Sequence, residues 1–313
     1  MRTTLPALVL LLGPLLVSHA RGGAPSPAPT TPPGTEPCES VDPAWSPDGR
    51  WMLFVSRCEG NAELYRMRPD GSDRERLTRT AGAEHEPVVS PDGLRVAYAY
   101  HEEDEDAEIW LRGLDGTEAR PLTRNRWDEW SPTFSPDGGR LAYESDRGEG
   151  SDILVLDLET GREERITDHP ADDLAPAWSP DGRTIAFQTN REGSYSVYGT
   201  DPAGGDPVPL ESLPGHAVAP TWSPDAAWVA FGHVADGSES IRAAAVDGTG
   251  VRGLTAGERT EFAPAWSPDG RRVAFIARAE GGTWDVWVVA ADGAEPPIRL
   301  TTGGEPGGAP GGR

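Results

Sequence analysis

The chain has 313 residues and a formal charge of −23, from 51 acidic side chains against 28 basic ones, every one of which is arginine. The absence of lysine excludes a Walker phosphate loop, a Schiff-base lysine and a Ser-Lys dyad. The acidic balance also argues against a nucleic-acid partner, because such affinity rests on cationic contacts to phosphate.

In chain order, MRTTLPALVLLLGPLLVSHA (1–20) reads as a signal peptide: an early Arg2, an apolar run, and a small-residue exit at Ala20. Export to a periplasmic or extracellular location is expected. The run is short for a membrane span, and no other stretch is long and apolar enough to be one. Residues 21–37 are rich in Pro and Gly and read as a linker, and 303–313 as a disordered tail of similar composition. Between them lies one expected domain, 38–302. The only cysteines, Cys38 and Cys58, are expected to form a disulfide in an exported protein.

The domain is a repeat. PAWSPDG (43), PVVSPDG (87), PTFSPDG (132), PAWSPDG (176), PTWSPDA (220) and PAWSPDG (264) recur every 44 or 45 residues. That period fits a four-stranded propeller blade. The fold class read from it is all-β: a six-bladed β-propeller of four-stranded antiparallel blades. In each unit Ser-Pro-Asp-Gly is the turn between first and second strands, with proline presetting φ and glycine taking the left-handed conformation. The fifth unit places Ala226 where that glycine belongs. The second strand carries alanine between two large residues in five units, at Ala97, Ala142, Ala186, Ala230 and Ala274. The fourth strand closes on Leu-Thr or Ile-Thr, except for Leu210-Glu211 in the fourth unit. The ring is expected to close either by blade packing alone or by residues 38–42 adding an edge strand to the last blade.

These motifs, six in phase over about residues 40–302, resemble the TolB-like propeller repeat, which also occurs in prolyl oligopeptidase-like proteins. The resemblance implies a six-bladed propeller. TolB itself is a periplasmic component of an envelope complex that binds a lipoprotein, so the resemblance also implies a protein-binding role. It covers the propeller only, since residues 21–37 stand where TolB carries a separate α/β domain.

For catalysis the residues offer little. There is no G-x-S-x-G elbow, and six serines in six equivalent turns are not six nucleophiles. The turns share one face of the ring. The opposite face, called the top here, should hold the loops between second and third strands and the connections between blades. His85, His101, His169, His216 and His233 are all expected there. Acids gather just ahead of the inner strands: Glu39, Asp42, Glu84, Glu86, Asp128, Glu129, Asp172, Asp173 and Glu261. The expected partner site comprises these acids with His85 and His216. It forms an electronegative mouth suited to a basic protein or peptide. Trp127, Trp130 and Phe262 are candidate anchors, and the run HEEDEDAE (101–108) reads as a solvated loop. The alternatives are a small-ligand or divalent-cation sensor, or a metal-dependent enzyme. No cofactor is expected, and the propeller is expected to be a monomer.

Overall fold

The computed structural model describes residues 38–302, apart from 104, 280 and 281. The expected leader, linker and tail lie outside the described residues. The chain forms six four-stranded antiparallel sheets, each taken from one contiguous stretch with its strands paired in chain order. The first strands of the blades are Ser40–Trp45, Ala83–Val89, Glu129–Phe134, Asp173–Trp178, His216–Trp222 and Glu261–Trp266. Each packs against the first strands of both neighbouring blades, and Glu261–Trp266 meets Ser40–Trp45 to complete the ring. They are therefore the inner strands of a closed six-bladed propeller.

The Ser-Pro-Asp-Gly turn is built the same way six times. In the first, Ser46 Oγ donates to Asp48 Oδ1 at 2.7 Å, and Asp48 Oδ1 also accepts from the backbone N–H of Arg50 at 3.0 Å. The N–H of Trp51 in turn donates to Ser46 Oγ at 2.9 Å. Gly49 has φ 65°, and Ala226 holds the equivalent φ of 57° despite its side chain. These serines are turn braces, with their hydroxyls engaged by the neighbouring aspartates.

Blade-on-blade packing supplies the core. All five second-strand alanines are fully buried, leaving room for large partners from the adjoining sheet. Trp222 packs in a cluster with Ala186, Val197 and Phe231, and its indole N–H donates to Ala177 O of the preceding blade at 2.9 Å. The seam between last and first blades uses the same contacts. Met52, Phe54 and Met67 bury against Ala274, Val286, Val288 and Leu300, while Trp45 Nε1 donates to Ala265 O at 3.1 Å. Among the described residues no strand is shared across it. The edge-strand alternative for residues 38–42 is thus corrected: Ser40 onward pairs with Met52–Ser56 of its own blade. Cys38 and Cys58 form the expected disulfide within this blade.

Candidate functional site

Every inner strand is interrupted at the same place. Pairing with the second strand shifts register at Asp42-Pro43, Glu86-Pro87, Ser131-Pro132, Ala175-Pro176, Ala219-Pro220 and Ala263-Pro264. Proline has no N–H to give to a ladder, so a bulge is the natural place for it. The residue before each proline has φ between 50° and 54°. This left-handed conformation is costly for a non-glycine residue. Sequence reasoning missed the bulge, because the six residues that adopt it are of four different types.

Four of these bulges are capped by a side chain from the preceding blade. Asp42 Oδ2 accepts from Glu86 N at 3.1 Å, and Glu86 Oε2 from Ser131 N at 2.6 Å and Ser131 Oγ at 3.1 Å. Glu144 Oε2 accepts from Ala175 N at 2.6 Å, and Gln188 Oε1 from Ala219 N at 2.7 Å. The result is an arc of three carboxyls and one amide along the inner ring. Burial raises the Asp42 carboxyl to about 6, against the opposing pull of the Glu86 N–H and of Arg57. Burial also lifts Glu86 well above the usual carboxyl range, and the charges of Glu144 and Asp42 push it further. Residues at five of the six bulges stay partly exposed at the centre of the ring, so they border an opening along its axis.

The structure separates the other predicted acids by depth. Glu84, Glu129, Asp173 and Glu261 are buried and brace the blades. Glu84 accepts from Leu64 N at 3.0 Å and from the hydroxyl of Thr78, both in the preceding blade. Glu261 takes the hydroxyl of Thr255 in the same way. Glu129 is met by Asn125 and Arg147, and Asp173 by Arg191. Burial lifts the carboxyls of Glu84, Glu129 and Glu261 to about 7 in each case. The threonine of each Leu-Thr or Ile-Thr braces the third strand of its own blade. Its hydroxyl accepts the third-strand N–H, as Thr78 does for Leu64 at 2.8 Å, and in the fourth blade Glu211 takes that place for Val197.

Nearer the surface, Asp128 accepts from Ala107 N at 2.8 Å, and Asp172 from Asn190 Nδ2 at 3.0 Å. These bonds tie the blade connections to the loops between second and third strands. Glu39 is half-buried beside the disulfide. His216 Nδ1 accepts from Tyr195 N at 3.2 Å. His85 is buried and stacks on His101 with ring centroids 5.5 Å apart, and Trp130 sits edge-on to both. Burial, with Arg57 and His101 nearby, lowers His85 to about 3, so it is neutral at physiological pH. His233 is buried, bonded to Pro214 O, while His169 lies on an exposed connection. Trp130 and Phe262 are buried, leaving Trp127 as the half-exposed anchor. Glu102, Glu103, Glu105 and Asp106 are exposed, as expected of a solvated loop. Among the described residues no group of three or more His, Cys, Asp or Glu is arranged to hold a metal ion, and no helix is long and apolar enough to cross a membrane.

The family description "TolB beta propeller domain" matches residues 85–211. The repeats within that stretch match the TolB-like propeller repeat. An uncharacterised protein of Agrobacterium fabrum is 40% identical over 62 residues, which is 20% of this chain and 21% of that protein. The match thus spans about a fifth of that relative. Among solved structures, a candidate TolB from Agrobacterium tumefaciens is 25% identical with a TM-score of 0.66, over 81% of this chain and 90% of the other. TolB from Acinetobacter baumannii is 21% identical with a TM-score of 0.64, over 84% of this chain and 63% of the other. The TolB-like propeller fold is also part of a puromycin hydrolase, 16% identical with a TM-score of 0.59, over 86% of this chain and 54% of the other. The fold is shared by proteins of different activity, so it does not by itself assign a function.

Proposed function

We propose that this TolB-like propeller is an exported, monomeric, non-catalytic module that binds a basic protein or peptide segment through its acidic top face and the channel mouth. One observation carries the reading: three arginines of this face are held against buried carboxyls, and the acids left exposed there outnumber the exposed arginines. Arg76 pairs with Glu63 at 2.9 Å, Arg147 with Glu129 at 2.8 Å and Arg191 with Asp173 at 3.0 Å. Glu102, Glu103, Glu105, Asp106, Glu149, Asp168, Glu192 and Glu258 are exposed on this face against Arg57, Arg79, Arg124, Arg126 and Arg278, so a partner meets a net negative surface. Like charges gathered around a ring opening attract cations and speed their encounter, with strong salt dependence. The disulfide and the reading of residues 1–20 as a leader support an oxidising location outside the cytoplasm.

The test is direct binding of N-acetylated hexa-arginine amide to the propeller. We expect affinity to fall at least tenfold between 50 and 300 mM salt. Reversing Glu102, Glu103, Glu105 and Asp106 to lysine should weaken it further, with thermal unfolding unchanged. Binding that is absent at low salt, or indifferent to the charge reversal, refutes the reading.

A further inference from the structure

The capped arc on the inner ring contains a donor that the fold leaves unused. Gln188 is 1% exposed, and its Nε2 has no hydrogen-bond partner although it is buried. The amide orientation is fixed, because the N–H of Ala219 can be met only by the oxygen. Register pairs Gln188 with Leu174, next to Ala175, whose N–H is taken by Glu144. With its oxygen held by Ala219 N of the fifth blade, the amide sits between that inner strand and the bulge at Ala175, whose N–H the Glu144 carboxyl takes. An unpaired buried donor costs roughly 1–3 kcal/mol. Such a cost is tolerated where a ligand supplies the acceptor.

The rest of the ring completes a pattern. In the fifth and sixth blades the positions equivalent to Glu144 and Gln188 are Gly232 and Ile276. Gly232 leaves its space to Phe262, whose ring lies 3.0 Å from where a Cβ would be, and Ile276 is fully buried. The bulge residues there are Ala219 and Ala263, partly exposed. The ring thus presents three carboxyls, then an amide donor, then an apolar arc of small side chains.

Resting on the peptide-binding reading above, we propose that Asp42, Glu86, Glu144 and Gln188 form a receptor for the free amino terminus of a peptide. The α-ammonium sits among the carboxyls and the first carbonyl oxygen accepts from Gln188 Nε2. A small apolar first side chain lies against Ala219 and Ala263. A side-chain ammonium or guanidinium satisfies the carboxyls but brings no acceptor at the right remove for the amide. The groups facing this site are consistent with cation entry: Asp42 meets Arg57 and Glu86, and Glu86 meets Asp42, Glu144 and Ser131. Their shared reluctance to ionise together is relieved by a bound cation, so binding near pH 7 releases protons.

Calorimetry with three probes tests this: Ala-Ala-Tyr amide with a free amino terminus, its N-acetylated form, and an N-acetylated Ala-Lys-Tyr amide. The free-terminus peptide is expected to bind, with an enthalpy that varies with the buffer's own ionisation enthalpy. The two acetylated probes should bind at least tenfold more weakly. Gln188→Glu retains an acceptor for Ala219 N and so the fold, checked by its melting curve, yet should weaken the free-terminus peptide about tenfold. The proposal is overturned by equal binding of free and acetylated peptides, by a lysine probe as good as the free terminus, by no binding at millimolar concentration, or by an unaffected Gln188→Glu. If any of these occurs while acetylated hexa-arginine still binds, the receptor fails and the acidic-face reading stands. Loss of hexa-arginine binding with the free-terminus preference intact refutes the acidic-face reading and upholds the receptor.

Discussion

The carboxyl of Glu86 leaves the second blade to take the backbone N–H of Ser131 in the third at 2.6 Å. It makes this bond from a place where burial, Glu144 and Asp42 all resist its ionisation. Glu84, Glu129 and Glu261, each raised from 4.5 to about 7, and Asp42, raised from 3.8 to about 6, are in the same position. A raised acid is neutral in both states at low pH. As pH rises past the unfolded value the folded state binds more protons, and stability falls until the folded pKa is passed. The protein should therefore be more stable at pH 5 than at pH 8, with the loss concentrated between about 4.5 and 7. Glu84→Gln should remove part of this slope, of order 3 kcal/mol for a shift of this size. Denaturant midpoints across that range check it, and a midpoint that rises steadily from pH 5 to 8 contradicts it.

Thr78 joins three elements at once: its hydroxyl accepts from Leu64 N and donates to Glu84. Thr78→Val keeps the shape and removes both bonds, leaving Glu84 buried without its main side-chain partner. A loss of about 1–3 kcal/mol is expected by urea unfolding. Replacing Glu211 with threonine in the fourth blade should be nearly neutral, because it restores what the other blades use.

Ala226 is the one non-glycine at the fourth position of the six turns, with φ 57°. Ala226→Gly should stabilise the protein by up to about 1 kcal/mol, since strain at a left-handed residue outweighs the entropy that glycine adds. Gly49→Ala should do the reverse and more, because its new Cβ would lie 3.3 Å from Pro268 in the neighbouring turn. Paired urea melts of the two variants measure both signs.

The blades were legible because turn chemistry is local. Serine, proline, aspartate and glycine each suit their place in the hairpin, and six copies at one period leave no other architecture. The inner ring was not legible for the opposite reason. Asp42, Glu86, Ser131, Ala175, Ala219 and Ala263 share a backbone conformation, φ between 50° and 54°, but no side chain. The residue before a proline ordinarily favours an extended conformation, which points away from that result. Glu84, Glu129, Asp173 and Glu261 read as rim acids because carboxylates are seldom buried. Their burial depends on partners up to 20 residues away, such as Leu64 for Glu84. Neither the cap on Ser131 nor the donor left on Gln188 has a signature in its own neighbourhood of the chain, since both are made between blades.

Hydrogen–deuterium exchange with and without N-acetylated hexa-arginine amide locates the partner on the ring. Binding at the acidic face should slow exchange in the loops between second and third strands, including residues 102–107, and at the ends of the inner strands nearest them. Protection confined to the Ser-Pro-Asp-Gly turns on the opposite face would contradict it.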